Sequence, residues 1–389
     1  MLQLPRGDTM NPLTYITSGP YGMIIALPAY LFLAIFSYKQ IPKKWMKETG
    51  VKPIVITFHV LGMVSLVSLT LWYCYFPESL LKWIHLIFHT FYFNFIILSS
   101  ALLFIRWVYR KIRRKGKDDE DHPFDKLYIW GLVILFIGIY TFMGVYNVDS
   151  IEHTVYNVTP TKEAAKNVDA KIVYYGDSHI GAGANTIVLG YTADKINMLD
   201  ADVLILDGDI VDGSTSIDEL EYLKNSLKNI RTKYGVYFVT GNHDNNCLFD
   251  YRQYLIDGGV KIIDNQAVKL PNGIILVGRD YGEYAEPEEI MRNCGFTETD
   301  WDNNEVVLAM HRPESFEDFK DQCDVMLNAH THGYAYPILL PNVNTWNENK
   351  YGEKQYGNMT AITTSGLSTW GFHTKWPSMS EIVEVDIKS

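Results

Sequence analysis

"KIVYYGDSHIGAGAN", Lys171 to Asn185, is the stretch on which the fold turns. Ile172–Tyr175 is β-branched and aromatic, the composition of a buried strand. The chain then stops at a glycine and sets Asp177 and His179 one residue apart among small residues. In extended backbone, residues i and i+2 point to the same side, so Asp177 and His179 are expected to converge while Ser178 faces away. A hydrogen-bonded Asp–His pair and a metal site both satisfy that geometry. The remainder of the chain has to choose between them.

Four further segments repeat the pattern. "DVLILDGD" (Asp202–Asp209), "GVYFVTGNHD" (Gly235–Asp244), "EVVLAMHRPE" (Glu305–Glu314) and "DVMLNAHTHG" (Asp324–Gly333) each read as a buried strand ending in polar residues. Amphipathic helical segments intervene, among them Ser216–Tyr234, while the Asn-rich Leu340–Asn358 reads as a long surface loop. The strand ends hold Asp177, His179, Asp209, Asn242, His243, His311, His330 and His332, so five of the 11 histidines gather there. Core histidines satisfied one by one would not concentrate in this way. Loops at strand ends are where α/β folds build sites. A set of oxygen and nitrogen donors without a thiolate suits two divalent ions such as manganese, iron or zinc.

The charge is divided unevenly over the 389 residues. Residues 1–148 carry 15 Lys+Arg against 8 Asp+Glu, and residues 149–389 carry 19 against 37, so +7 and −18 sum to the net −11. Such a split implies two environments, and the acidic part excludes nucleic acid as a partner. The four cysteines, Cys74, Cys247, Cys294 and Cys323, have no CxxC spacing, so neither a zinc ribbon nor a disulfide framework is implied.

Four charge-free stretches in the first third, within Thr9–Tyr38, Pro53–Pro77, Trp83–Ile105 and Leu127–Val148, are long enough to cross a bilayer, which takes about 20 residues. The loop after the first span carries Lys39, Lys43, Lys44, Lys47 and Lys52. The loop after the third carries Arg106, Arg110, Lys111, Arg113, Arg114, Lys115, Lys117 and Lys126, whereas the other side offers only Arg6 and Lys82. Positive charge marks the cytoplasmic face. The expectation is a four-helix transmembrane bundle (1–148) in the plasma membrane, with both termini and the following domain (149–389) extracytoplasmic. His59, His85 and His89 lie within the spans, as members of a haem or metal site or simply bonded to a neighbouring helix.

"GDSHIG", "GDIVDG", "GNHD", "HRPE" and "HTHG", in that order, resemble the five motifs of the calcineurin-like metallophosphoesterases, over about residues 150–389. "TTSGLSTWG" (Thr363–Gly371) further resembles the branch that includes membrane-anchored bacterial phosphoesterases. The resemblance implies a four-layer α/β/β/α sandwich with a two-metal hydrolytic site. By motif, Asp177, His179 and His332 would bind the first metal, Asp209 would bridge, and Asn242, His311 and His330 would complete the second. His243 would stand over the substrate phosphate as proton donor or charge stabiliser, oriented by Asp244. Paired ions would activate a water for in-line attack on phosphorus. "AHTHGYA" departs from the family's Gly before the first His and its Gly-Gln after the second, and Lys375 stands roughly where related sequences carry Arg, positions that would line the substrate rim. Arg312 and Lys375 are the candidate phosphate contacts. Asp212 reads either as a support for the site or as a turn cap.

The expected function is hydrolysis of a phosphoester or pyrophosphate. Only 28 residues separate Val148 from Asp177, and Tyr281, Tyr334, Trp346, Trp370 and Trp376 fall near the expected rim. Those aromatics suit an interface or ordinary packing equally. Together with four spans they favour a phosphate carried on a lipid or envelope polymer over soluble extracellular nucleotides. A non-catalytic sensor of a phosphorylated ligand and a transporter with a regulatory outer domain are the readings from other classes. Nothing in the sequence speaks to oligomeric state.

Overall fold

The computed structural model describes residues 52–75, 80–113, 127–162, 168–184, 186–282, 285–333, 349–370 and 373–388, besides Phe32, Ile35 and Tyr38. The chain divides into two compact units, the first running to Met143 and the second opening at Gly144.

In the first unit, helices α1 (Lys52–Tyr75), α2 (Leu80–Ile112) and α3 (Leu127–Asp149) fall on the second, third and fourth expected spans. Of the first span only Phe32, Ile35 and Tyr38 are described, so the four-helix count lies outside the described residues. Within α2 and α3, Ile87–Ile112 and Tyr128–Asp149 are each long and apolar enough to cross a membrane, whereas Lys52–Ser65 of α1 is shorter. Leu132, Leu135, Phe136, Ile139 and Phe142 of α3 are exposed, a hydrophobic surface that water would penalise and lipid would not. His59 Nδ1 lies 3.2 Å from the Tyr92 hydroxyl of α2. His59 therefore makes the bland helix–helix contact rather than a metal set. The side chain of His85 lies outside the described residues.

The second unit contains two six-stranded sheets. The first joins β1 (Ile151–Val158), β2 (Ala170–Tyr175), β3 (Val203–Asp207), β4 (Val236–Val239), β5 (Val260–Ile262) and β12 (Ser380–Ile387) in the order β1-β12-β2-β3-β4-β5. The second joins β6 (Gln266–Lys269), β7 (Ile275–Arg279), β8 (Val306–Met310), β9 (Val325–Asn328), β10 (Gly352–Tyr356) and β11 (Met359–Thr363) in the order β10-β11-β9-β8-β7-β6. The strands that carry the motifs are buried along their length and read as continuous apolar runs, as expected of parallel strands covered on both faces.

Alternation along these strands builds three hydrophobic layers. Ile172, Tyr174, Val203, Ile205, Tyr237 and Val239 face Leu276, Val307, Ala309, Val325 and Leu327 between the sheets. Val173, Leu204, Leu206 and Phe238 face the other way, against α4 (Thr186–Leu199), α5 (Ile217–Lys228) and α6 (Tyr251–Asp257). On the far side Val277, Leu308 and Met326 pack on α7 (Pro287–Asn293) and α9 (Phe316–Phe319), near α8 (Glu298–Asn303). The expected α/β/β/α layering is thus present. The predicted helix Ser216–Tyr234 begins where foreseen, because Ser216 and Glu219 cap it reciprocally, but ends at Lys228. The predicted loop Leu340–Asn358 is corrected in its last part: Gly352–Tyr356 pairs antiparallel with β11 as an edge strand. Its exposed "EKQ" gave no buried period to betray it.

Candidate metal centre

The parallel strands β2, β3, β8 and β9 end on one side, and the loops after β2, β3, β4, β8 and β9 bring the singled-out residues together. Asp177, His179 and His332 offer donor atoms within 4.8 Å of one another, and so do Asp209, His311 and His330. Asp209 stands between the groups, its Oδ2 being 3.6 Å from His179 Nε2 and 3.2 Å from His311 Nε2. Its other oxygen accepts the His243 backbone N–H at 2.6 Å. One oxygen is therefore tethered while the other faces two imidazoles.

Asp177 and His179 converge, but not through the extended backbone that simple alternation supposed. Their φ angles are 51° and 43°, and Asp209, His330 and His332 are also left-handed at 52°, 68° and 53°. Only three other non-glycine residues among those described share this conformation. It costs a non-glycine residue on the order of 1–3 kcal/mol, and survives only where surroundings enforce it. Here Asp177 N–H bonds Gly208 O, His179 N–H bonds Asp209 O, and Ser368 N–H bonds Asp177 O, each at 3.0 Å. Two glycines allow the crowding. A Cβ on Gly241 would lie 2.3 Å from Asp209 Oδ1, and one on Gly366 (φ 77°) would lie 2.6 Å from Asp177 Cβ.

The imidazoles are oriented from behind. His311 Nδ1 lies 2.6 Å from Asp207 O and His332 Nδ1 lies 3.2 Å from Ser368 O, so each donates there and turns Nε2 to the site. His179 Nδ1 faces Asp212 at 3.5 Å, and Asp212 also accepts the Ser214 N–H at 2.7 Å. Both readings of Asp212 are thus realised at once.

Both oxygens of Asp177, both nitrogens of His179, His311 Nε2 and Asn242 Oδ1 are buried without a hydrogen-bond partner. Enclosed polar atoms in such number need a partner; the carboxylate and amide oxygens accept and each neutral imidazole offers one lone pair, so the donor set fits divalent cations. Burial works against a charge on His311, yet Asp209 and Asp177 push it up to about 10. Burial would likewise raise Asp209, but His311, His243 and His179 hold it well below the carboxylate range. Burial lowers His332 to about 4, and together with His311 it depresses His330.

Two assignments change. Asp244 does not orient His243. Its carboxylate accepts the backbone N–H groups of Asp209, Ile210, Val211 and Gly241 at 2.7–3.0 Å, bracing two motif loops against each other. Lys375 does not reach the rim. It is fully buried, its Nζ donates to Ser365 O at 2.5 Å and Gly366 O at 2.8 Å, and burial pushes it down to about 7. Arg312 is exposed, as foreseen, and its Nε lies 3.1 Å from Glu314.

Among the aromatics, Trp370 lies 5.0 Å from the His243 ring and Tyr281 lies 6.2 Å from that of His330, while Trp376 is exposed. Tyr334 and Trp346 lie outside the described residues. Sequence reasoning missed Asp207, a buried carboxyl that burial pushes up to about 8 and whose carbonyl orients His311. Its place in "LDGD" beside Asp209 was the available signal. Asp244→Ala is expected to leave four buried N–H groups unmet and to destabilise the domain by on the order of 3 kcal/mol, as read by denaturant unfolding.

Residues 170–334 match the family model described as calcineurin-like phosphoesterase. An uncharacterized metallophosphoesterase of Helicobacter pylori strain J99 is 24% identical over 223 residues, which is 55% of this chain and 58% of that protein. One from Aquifex aeolicus is 23% identical over 271 residues, covering 66% of this chain and 98% of its own. A Bos taurus protein named transmembrane protein with metallophosphoesterase domain is 23% identical over 269 residues, 62% of this chain and 57% of its own. The chain therefore spans somewhat under two thirds of the Helicobacter and Bos relatives. With the ordered motifs, the two sheets and the paired triads, residues 170–334 belong to the calcineurin-like phosphoesterase family.

Proposed function

We propose that this chain is a membrane-anchored, metal-dependent phosphoesterase whose domain 149–389 works outside the cytoplasm. Asp177, His179 and His332 hold one divalent ion, Asn242, His311 and His330 hold a second, and Asp209 bridges. The observation that carries this reading is the pair of donor triads meeting at Asp209, lined by buried oxygens of Asp177 and Asn242 that no hydrogen bond satisfies. Such ions, manganese, iron or zinc, supply an activated water and neutralise phosphoryl charge.

The chain's own residues do the remainder. Asp209, pinned by the His243 N–H, fixes the spacing of the two triads. The His243 ring lies 4.9 Å from that of His179 and is half-buried, placed to donate a proton or hydrogen bond to the oxygen that leaves. Burial holds its pKa below the ordinary value, so near neutrality it acts mainly as a neutral donor. The domain's charge of −18 repels phosphates, so binding relies on local positive charge at the ions and on exposed Arg312.

The substrate is a phosphate carried on a lipid or envelope polymer. This is supported by the apolar surface of α3, by exposed Trp376, and by the bond from Lys375 N–H to Gly144 O, which attaches Trp376's neighbour to the end of α3. No nucleic acid is engaged, given the acidic surface.

Purified protein is expected to hold about two divalent ions per chain by elemental analysis and to hydrolyse a generic aryl phosphoester. Asp209→Ala should lose ions and turnover together, and wild-type turnover in exhaustive chelator would contradict the reading. Because His311 must shed a proton to bind metal, apparent affinity should rise by about tenfold per pH unit below its pKa. His243→Ala should keep both ions while slowing turnover on the order of 10²–10⁴-fold.

A reporter fused after Ser389 is expected to be active only outside the cytoplasm, and a cytoplasmic signal would reverse the orientation. Lipid phosphates in mixed micelles should be cleaved faster than soluble nucleotides. Nucleotides winning by a wide margin, with no effect of removing residues 1–143, would favour the extracellular nucleotide reading.

A further inference from the structure

The residue that failed as a substrate contact occupies a more informative position. Lys375 lies at the centre of a clamp on the loop Thr364–Ser368. From one side its Nζ donates to the carbonyls of Ser365 and Gly366. From the other, buried Glu381 of β12 accepts the Thr364 hydroxyl at 2.8 Å and the Ser365 N–H at 2.7 Å. An amine on the carbonyls and a carboxylate on the hydroxyl and N–H grip one short stretch of backbone in a space closed to water, where hydrogen bonds are strong.

The clamped loop touches the first triad at two ligands. Gly366 packs so closely on Asp177 that a Cβ there would lie 2.6 Å from the Asp177 Cβ. Leu367 N–H bonds Gly176 O at 2.9 Å, Ser368 N–H bonds Asp177 O at 3.0 Å, and Ser368 O orients His332.

Lys375 is in turn fastened to the last turn of α3. Its N–H donates to Gly144 O at 3.1 Å, and its carbonyl accepts the Asn147 side-chain amide at 3.0 Å. The approach is tight, since a Cβ on Gly144 would lie 1.8 Å from Thr374 Oγ1. One turn on, Asp149 meets His373 at 2.9 Å. Three bonds therefore join the end of an apolar helix to the segment that clamps the ligand loop.

We propose that the C-terminal turn of α3 is a positioning element of the first metal site, and that Lys375 is the residue through which it acts. This rests on the reading that Asp177, His179 and His332 hold a divalent ion. It makes the helix more than an anchor: a shift of its last turn moves Lys375, the Ser365–Gly366 backbone, and then Asp177 and His332. In the second triad His311 is oriented by Asp207 O instead, so the larger effect is expected at the first ion.

The test uses the full-length protein in detergent, stripped of metal and titrated with Mn²⁺, with free Mn²⁺ followed by electron paramagnetic resonance. Wild type is expected to take up two ions. Asn147→Ala and Lys375→Met should weaken one ion by about 10–100-fold, the usual weight of an outer partner, and affect the other distinctly less. Lys375→Arg, which can still donate to two carbonyls, should recover most of the loss. Tyr146→Ala, exposed on the same turn, should bind as wild type does. If Lys375→Met does not fold, Asn147→Ala decides. A folded Asn147→Ala protein that binds both ions as tightly as wild type overturns the positioning role. Equal loss at both ions, or no recovery with Arg, also overturns it in favour of general destabilisation. Wild type that binds no ion refutes the metal reading, and this proposal with it.

Discussion

The carboxylate of Asp209 is the point on which the site depends. One oxygen is tied to the His243 backbone N–H and the other lies within 3.6 Å of imidazoles from both triads. A carboxylate with 1% exposure can remain ionised only where cations or donors surround it, and His311, His243 and His179 do so. The strained loops follow from this requirement. Five of the gathered donor residues adopt left-handed backbone. The surrounding hydrogen bonds, with Asp244 capping four N–H groups, hold the chain in that state. Strain of this kind is kept where geometry matters more than stability.

The sheets supply the rigidity. Parallel strands packed on both faces present their ends at fixed spacing, and the donor residues sit one to four residues beyond those ends. The three hydrophobic layers fix how the sheets stack and therefore how far Asp177 and Asp209 lie from His311, His330 and His332. A ligand set drawn from five loops can be this compact only because the loops are short and their roots do not move.

Much of this was legible beforehand, for identifiable reasons. Buried parallel strands are written as continuous apolar runs, and their polar terminators stand in the chain as "GD", "NHD" and "HTH", so the fold and the gathered donors follow from local pattern. Asp244 and Lys375 were misjudged because most of their partners are backbone atoms distant in sequence: 33 to 35 residues separate Asp244 from Asp209–Val211 by number, and Gly144 lies over 200 before Lys375. No composition or spacing reports such contacts. A lysine in a motif tail looks like a phosphate ligand until its burial is known. Asp207 and Glu381 escaped notice for the same reason, as did strand β10, whose exposed polar residues mimic a loop.

The order of strands in the first sheet has a further consequence, for how the domain comes into being. β1 and β2 are not neighbours, because β12 lies between them, parallel to β1 and antiparallel to β2. The first sheet therefore stays split until Ser380–Ile387 has arrived. A chain that emerges during synthesis with its N-terminal part leading cannot close this layer until its last strand follows. Glu381, which grips the ligand loop, comes with that same strand. Completion of the sheet and completion of the candidate metal pocket are thus one event.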